Sequence, residues 1–479
     1  VGIISSKAFA FIIAFSLILS GAEGRVHVPQ SADDKLSPKV YDSYLGVYQL
    51  RSGKLIIIGR SQRRLFCYEP DTGLTRGLDR GPSPQSELKW FAGTSLLVFS
   101  PIEFQLIFTK NNREEVTGLT VRRPGFPDQW AKKIKLYREE RVTFRSGAET
   151  LAGTLLVPST KGPHPAAVFV HGSGEQSRNG FVSIIRFAAD HFARHGIAAL
   201  IYDKRGVGES TGHWETETLD DLAADALAAH SFLLGYKGID SRQVGLWGGS
   251  QAAWIMPKVA ARSRDVAFII SVSGAGGGIS VGEQVLYNLE IDLGNAGFSQ
   301  AEISEWKRAY KLLYELVRVG EGADTRQMED IVRRLQRNPK LTEALRKEWF
   351  LARPDPKIDW KKRDQWFFLY DPNFDAIPLW KEYGGPVLGV FGELDGLEPV
   401  REVVPLFARA LASRKNTDFT IAVFPRGHHI LMEMETDGPN DNELPNLKRY
   451  VPGYFDTMTD WLLKHLEVRS ARNGKSRRK

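Results

Sequence analysis

Cysteine is almost absent. Cys67 is the only one in 479 residues, so no disulfide can staple the chain to itself and no cysteine cluster can hold a metal. No His-Glu-x-x-His pattern is present to build a zinc site. No convincing internal repeat is found. Long apolar runs are scarce as well. The stretch from Ala8 to Leu19 spans a dozen residues, short of the ~20 that a helical membrane span needs. Neither charge sign dominates: 64 Lys and Arg against 57 Asp and Glu give a formal net charge of +7. Part of that excess sits in residues 469–479, from Arg469 to Lys479. No nucleic-acid recognition motif accompanies it, so a solvated basic tail is expected and nucleic acid is not an expected partner. With 42% hydrophobic residues the composition is that of a globular protein with a large core.

The first residues stand apart. Lys7 precedes the apolar stretch, and the small residues Ser20, Gly21, Ala22 and Gly24 follow it. Charge, length and small residues in that order predict a signal peptide over residues 1–24 and a secreted or periplasmic address, with an uncleaved anchor as the alternative. No cysteine lies nearby to carry a lipid, so no stable membrane insertion is expected after cleavage. Residues 25–39 are polar and read as a linker.

The most informative stretch is Trp247-Gly248-Gly249-Ser250-Gln251-Ala252. An apolar run from Val244 feeds into two glycines and a serine, and small residues follow. This is the layout of a sharp strand-to-helix turn that holds a serine hydroxyl at its tip, because bulky neighbours would not fit around a strained backbone. Alone, the pattern also fits an ordinary turn serine.

Three further stretches complete a set. The run Ala166 to Val170 reads as a buried parallel strand and opens into His171-Gly172-Ser173-Gly174. A glycine-rich loop there lets the N–H of Ser173, or of Gly174, point into a cleft beside that of Gln251. The run Val387 to Phe391 is followed by Gly392-Glu393-Leu394-Asp395, which supplies a carboxylate. Asp395 is the expected acid and Glu393, closer to the strand end, its rival. The run Phe419 to Phe424 opens into Pro425-Arg426-Gly427-His428-His429. Neighbouring residues point in different directions, so one catalytic histidine with one bystander is expected rather than a metal pair.

These motifs occur in the order oxyanion loop, serine, acid, histidine. Together with Tyr202-Asp203-Lys204-Arg205-Gly206-Val207-Gly208-Glu209-Ser210, they make residues 142–466 resemble bacterial serine hydrolases of the α/β-hydrolase superfamily, near the dienelactone-hydrolase and prolyl-oligopeptidase-like esterases. The resemblance selects His429 over His428, since relatives place three residues between a phenylalanine-proline pair and the histidine. Two departures stand out: Ala252-Ala253 where relatives carry glycines, and Gly249 where they carry a larger polar residue. A looser resemblance links residues 41–124, beginning Tyr44-Leu45-Gly46-Val47-Tyr48, to small lipocalin-like β-domains.

The expected fold is α/β: an α/β-hydrolase sheet over 138–283 and 381–468, a helical cap over 284–380, and before them a small antiparallel β barrel or sandwich over 40–130. Its strands are expected at Lys54–Ile58, Arg64–Tyr68, Ser95–Phe99, Phe104–Phe108 and Leu119–Val121, with Pro124 to Pro127 closing it. A helix is expected over Leu219–Leu234. The cap carries Trp306, Tyr310, Tyr314, Trp349, Trp360, Trp366 and Phe367, which either line a pocket or pack the cap. The resemblance implies ester hydrolysis with Ser250 as nucleophile, His429 as base, Asp395 as its orienting acid, and Ser173 and Gln251 as oxyanion donors. Such chemistry calls for no metal or organic cofactor, and the expected partner is a small-molecule or polymer ester. A peptidase or thioesterase would use the same residues. A non-catalytic binding protein is the reading from outside the enzymes. A serine at the turn argues against dehalogenase or epoxide-hydrolase chemistry, which needs an aspartate there.

Overall fold

The computed structural model describes residues 39–476, apart from 62–63, 81–87, 99, 339, 341–357, 359, 362–365 and 437–440. The expected signal segment, the linker up to residue 38 and Trp349 lie outside the described residues.

Eight antiparallel strands come first: β1 Gly46–Leu50, β2 Leu55–Ser61, β3 Arg64–Glu69, β4 Leu74–Asp79, β5 Lys89–Ala92, β6 Phe104–Lys110, β7 Val116–Arg122 and β8 Gln129–Ile134. They close into a barrel as β8 pairs with β1, which leaves no open sheet edge. The interior is packed with side chains, among them Tyr44, Tyr48, Ile56, Ile58, Trp90 and Phe108.

Two expectations within the barrel are corrected. Of the expected strand Ser95–Phe99, the described residues 95–98 are not a strand. Their apolar residues turn outward, and the N–H groups of Leu96 and Leu97 donate to the carbonyls of Leu447 (2.7 Å) and Pro445 (3.0 Å) in the following domain. Pro124 to Pro127 does not end the barrel either. It forms the turn into β8, whose exposed Lys132, half-buried Lys133 and single fully buried residue, Ala131, give no apolar signature.

The second sheet contains β9 Tyr137–Ser146, β10 Glu149–Pro158, β11 His164–Val170, β12 Ala198–Tyr202, β13 Ile239–Gly249, β14 Ile269–Val272, β15 Val387–Gly392 and β16 Phe419–Phe424. Its order is β16-β15-β14-β13-β11-β12-β10-β9. β9 and β10 run antiparallel, and the six strands β11 to β16 run parallel. Helices cover both faces, so the parallel strands read as continuous apolar runs. One of these is Leu219–Leu234, with the bounds expected. Thr218 and Asp221 close a reciprocal capping box at its start, satisfying two backbone donors that the first turn leaves orphaned.

Barrel and sheet share one core. In β2 and β3 alternate residues point inward, yet the residues between them are also apolar and buried: Ile57, Phe66 and Tyr68 join Phe187, Phe192 and Phe455 of the second domain. The ring of Tyr68 lies 5.2 Å from that of Phe187 and 5.4 Å from that of Phe455. Fully burying such a side chain contributes about 1.5–3 kcal/mol, so a few of them suffice to fix the barrel against the sheet.

Between β14 and β15 the chain leaves the sheet. Helices Val281–Asn295, Gln300–Val319 and Arg326–Leu335 build a separate small core. Trp306, Tyr310, Tyr314 and Phe367 are buried within it, so these aromatics pack helix on helix. No described helix is long and apolar enough to cross a membrane.

The barrel's fit is tight at Gly59, where an added Cβ would come within 2.8 Å of the Ser183 side chain and 2.9 Å of the Phe187 ring. Gly59→Val should destabilise the protein by about 1–3 kcal/mol, read as a lower thermal midpoint. An unchanged midpoint would mean the two domains are not wedged together there.

Candidate active site

β13 delivers Ser250 at its carboxyl end with φ 55°, in the left-handed region. That conformation costs a non-glycine residue about 1–3 kcal/mol and persists only where the surroundings enforce it. Here the Ser250 N–H donates to Val272 O on the adjacent strand at 2.9 Å, and Ser250 O accepts from Ala253 N at 3.0 Å. The helix Ala252–Arg262 begins at once, directing its positive end toward the serine. Space is minimal: a Cβ on Gly248 would sit 2.5 Å from that of Ala252, and one on Gly274 would collide with that of Ala253. The room for Ala252 and Ala253 therefore comes from glycines across the turn.

The loop after β11 abuts this turn. A Cβ on Gly172 would lie 3.3 Å from Gly249 O and 3.5 Å from the Cβ of Ser250. Ser173 is partly exposed and Gln251 is buried. Within the loop the Gln176 side-chain amide donates to Ser173 O at 2.8 Å. His171 is buried beneath it, edge-on to Tyr202 at 4.6 Å. Burial, and then the nearby Lys204 charge, push its pKa down to about 3.

The acid and the histidine follow β15 and β16. Asp395 is buried, and its Oδ1 accepts the N–H groups of Leu397 (2.8 Å) and Glu398 (3.0 Å). His429 Nδ1 lies 3.0 Å from Oδ1 and 2.8 Å from Oδ2 of the same carboxylate. With Nδ1 donating, the neutral ring carries its lone pair on Nε2. Glu393 is exposed, and its Oε2 accepts the Arg426 N–H at 3.2 Å. His428 is buried, and its Nδ1 accepts the Ile430 N–H at 3.4 Å. Asp395 and His429 are thus joined directly. Ser250 shares their sheet edge, separated from the acid's strand by β14 alone.

Several polar residues at the site carry no motif signal. Glu398 is fully buried beside Asp395 and accepts the Gln284 amide at 2.8 Å. Burial and then the Asp395 charge hold its carboxyl well above the usual range. Gln284 lies on the helix Val281–Asn295 and also donates to Leu397 O at 3.2 Å, tying the inserted helices to the acid loop. Tyr370 pairs its hydroxyl with the side chain of Gln251. Lys204 reaches under the glycine loop to Gly172 O at 3.2 Å and Gly174 O at 3.0 Å. Its neighbour Asp203 accepts from Arg178 and from the N–H of Glu209 at 3.1 Å. The Tyr-Asp-Lys-Arg stretch could have flagged these two, since charged residues directly after a buried strand need partners. No described cluster of His, Cys, Asp and Glu has the makings of a metal site.

A parallel sheet flanked by helices, with a strained serine, a histidine and a buried acid on one edge, defines an α/β protein of hydrolase architecture. The sequence pattern described as the alpha/beta hydrolase family matches residues 167–438; the chain belongs to that family. It is 33% identical over 139 residues to the thiohydrolase aneE of Aspergillus aculeatus, covering 29% of this chain and 42% of that protein. It is 32% identical over 197 residues to the esterase EstD of Thermotoga maritima, covering 37% and 46%. The chain therefore spans less than half the length of the curated relatives it matches. Among solved structures, the Pyrococcus furiosus esterase Pf2001 aligns at 14% identity with a TM-score of 0.41, covering 68% of this chain and 91% of that one.

The buried His171 makes stability depend on pH. Its folded pKa of about 3 lies below the ordinary 6.5. Between those values the unfolded chain binds a proton that the folded chain refuses, so stability is lost as the pH falls from 6.5 toward 3. His171→Gln should flatten this loss, measured as urea midpoints at pH 7 and pH 5. Equal slopes in both proteins would show that the ring is not held neutral.

Proposed function

We propose that the protein is a serine hydrolase that cleaves carboxylic esters through an acyl-enzyme. The observation that carries this reading is the contact of His429 Nδ1 with both oxygens of the buried Asp395, at 2.8 and 3.0 Å, on the edge where Ser250 holds φ 55°. Ser250 Oγ attacks the ester carbonyl while His429 Nε2 takes its proton. The N–H groups of Ser173 and Gln251 receive the negative charge that builds on the carbonyl oxygen. His429 then returns the proton to the leaving alcohol as the tetrahedral species collapses to the acyl-enzyme. A water, deprotonated by the same nitrogen, releases the acid and restores the serine. Asp395 keeps the ring in the productive tautomer and stabilises the imidazolium formed in each half-reaction. Each oxyanion donor is worth on the order of 10²–10³ in turnover.

The likeness to an esterase supports esters as the substrate class, and the likeness to a thiohydrolase supports thioesters as the second. The lipocalin-like reading of the barrel and a secreted or periplasmic address belong to the same proposal. The address rests on the apolar segment Ala8 to Leu19 and the small residues after it.

A fluorophosphonate probe should label the wild-type protein, and Ser250→Ala should abolish labelling; persistent label would displace Ser250 as nucleophile. His429→Ala should lower kcat on a p-nitrophenyl ester by about 10³-fold or more, while His428→Ala keeps most activity. The opposite ranking would exchange their roles. Turnover of p-nitrophenyl esters should exceed that of dipeptide nitroanilides, and a preference for the anilides would make the protein a peptidase.

A further inference from the structure

We infer that Lys204 is a positioning residue for the oxyanion-binding loop, aiming and strengthening the Ser173 N–H by holding the far side of the same peptide unit. This rests on the reading of Ser250 as nucleophile.

Lys204 follows β12 and is completely buried, as is its partner Glu217. Its Nζ lies 2.6 Å from Glu217 Oε1, 3.2 Å from Gly172 O and 3.0 Å from Gly174 O. Two of the ammonium's three N–H donors go to these carbonyls, and the Glu217 carboxyl is its ion-pair neighbour. Holding such a pair away from water is costly, and a well-packed apolar side chain of similar length would often stabilise the fold equally or better. Stability alone therefore does not explain a lysine here.

Its two carbonyl partners belong to the glycine loop, and a planar trans peptide points its C=O and N–H in opposite directions. The carbonyl of Gly172 and the N–H of Ser173 form one such unit. Anchoring that oxygen on a buried cation fixes the peptide plane and sends the Ser173 N–H to the opposite side. It also draws electron density toward the oxygen, which makes the N–H a stronger donor.

The test compares wild type, Ser250→Ala, Lys204→Met and the double variant Lys204→Met/Glu217→Gln, which leaves no orphaned carboxylate. The readouts are thermal midpoint, rate of fluorophosphonate labelling, kcat and KM on a p-nitrophenyl ester, and affinity for a trifluoromethyl ketone against a non-reactive ketone of the same shape. In a folded variant, labelling and kcat should fall about 10- to 100-fold, less than for outright loss of one donor. KM should stay within about threefold. The trifluoromethyl ketone, which forms an oxyanion on Ser250, should weaken in step with kcat while the inert ketone does not.

Labelling within twofold of wild type in a folded variant, or equal weakening of both ketones, would overturn the role of Lys204 and leave Ser250 standing. Failure of both variants to fold would make the pair a requirement of the fold and overturn it too. A wild-type protein that the probe does not label at Ser250 would bring down the nucleophile reading together with this one.

Discussion

The left-handed turn at Ser250 is the constraint that the rest of the site accommodates. A serine held at φ 55° needs neighbours that leave it no relaxed alternative. The adjacent strand supplies a carbonyl at Val272, the following helix supplies the Ala253 N–H, and Gly248 and Gly274 leave only enough space for Ala252 and Ala253. The glycine-rich segment Gly274 to Gly278 follows β14 for the same reason. The helix after the nucleophile passes so close that a Cβ on Gly276 would lie 2.7 Å from the Ala253 backbone. Trp380 closes this region by donating its indole N–H to Ala253 O (3.2 Å) and Gly276 O (3.1 Å).

Around that turn the site is organised by buried charge. Asp203 grips Arg178 and the loop that follows it, Lys204 grips the glycine loop, and Asp395 grips His429. None of these groups would stay buried without its partner. Glu398 differs in kind. Burial beside Asp395 holds its carboxyl well above the usual range, and its bond from Gln284 connects the acid loop to the inserted helices. The barrel contributes from the other side. The segment after His429 bonds to it, with Tyr450 N–H on Gly73 O at 3.0 Å and Thr75 N–H on Lys448 O at 2.8 Å, so the chain that carries the histidine is braced by both domains.

Regular elements were legible wherever local pattern and final burial agree. Phe419–Phe424 and Leu219–Leu234 have the bounds that their apolar runs and capping residues imply. Legibility failed where burial comes from a distant part of the chain. Residues 95–99 look like a strand, but Leu96 and Leu97 are apolar because they are buried in the core shared with the second domain, which includes Leu444 and Leu447. β4 and β8 were missed because Thr75 and Arg76 are buried polar residues of the domain junction, while β8 alternates one alanine with lysines and a half-exposed tryptophan.

By itself the sequence determined the order of glycine loop, serine, acid and histidine, each after an apolar run. Those features are local: a strained turn demands small neighbours, and a doubly covered strand demands continuous apolar residues. Which acid meets which histidine was a different matter. Glu393 and Asp395 lie two residues apart and His428 and His429 are adjacent, so residue type and spacing left both choices open without a family likeness. Only the tertiary structure brought Asp395 against His429 across 34 residues, and Lys204 under Gly172 across 32. The direction in which a side chain leaves a turn depends on backbone dihedrals that the whole fold sets, and a buried charge finds its partner only when distant strands have come together.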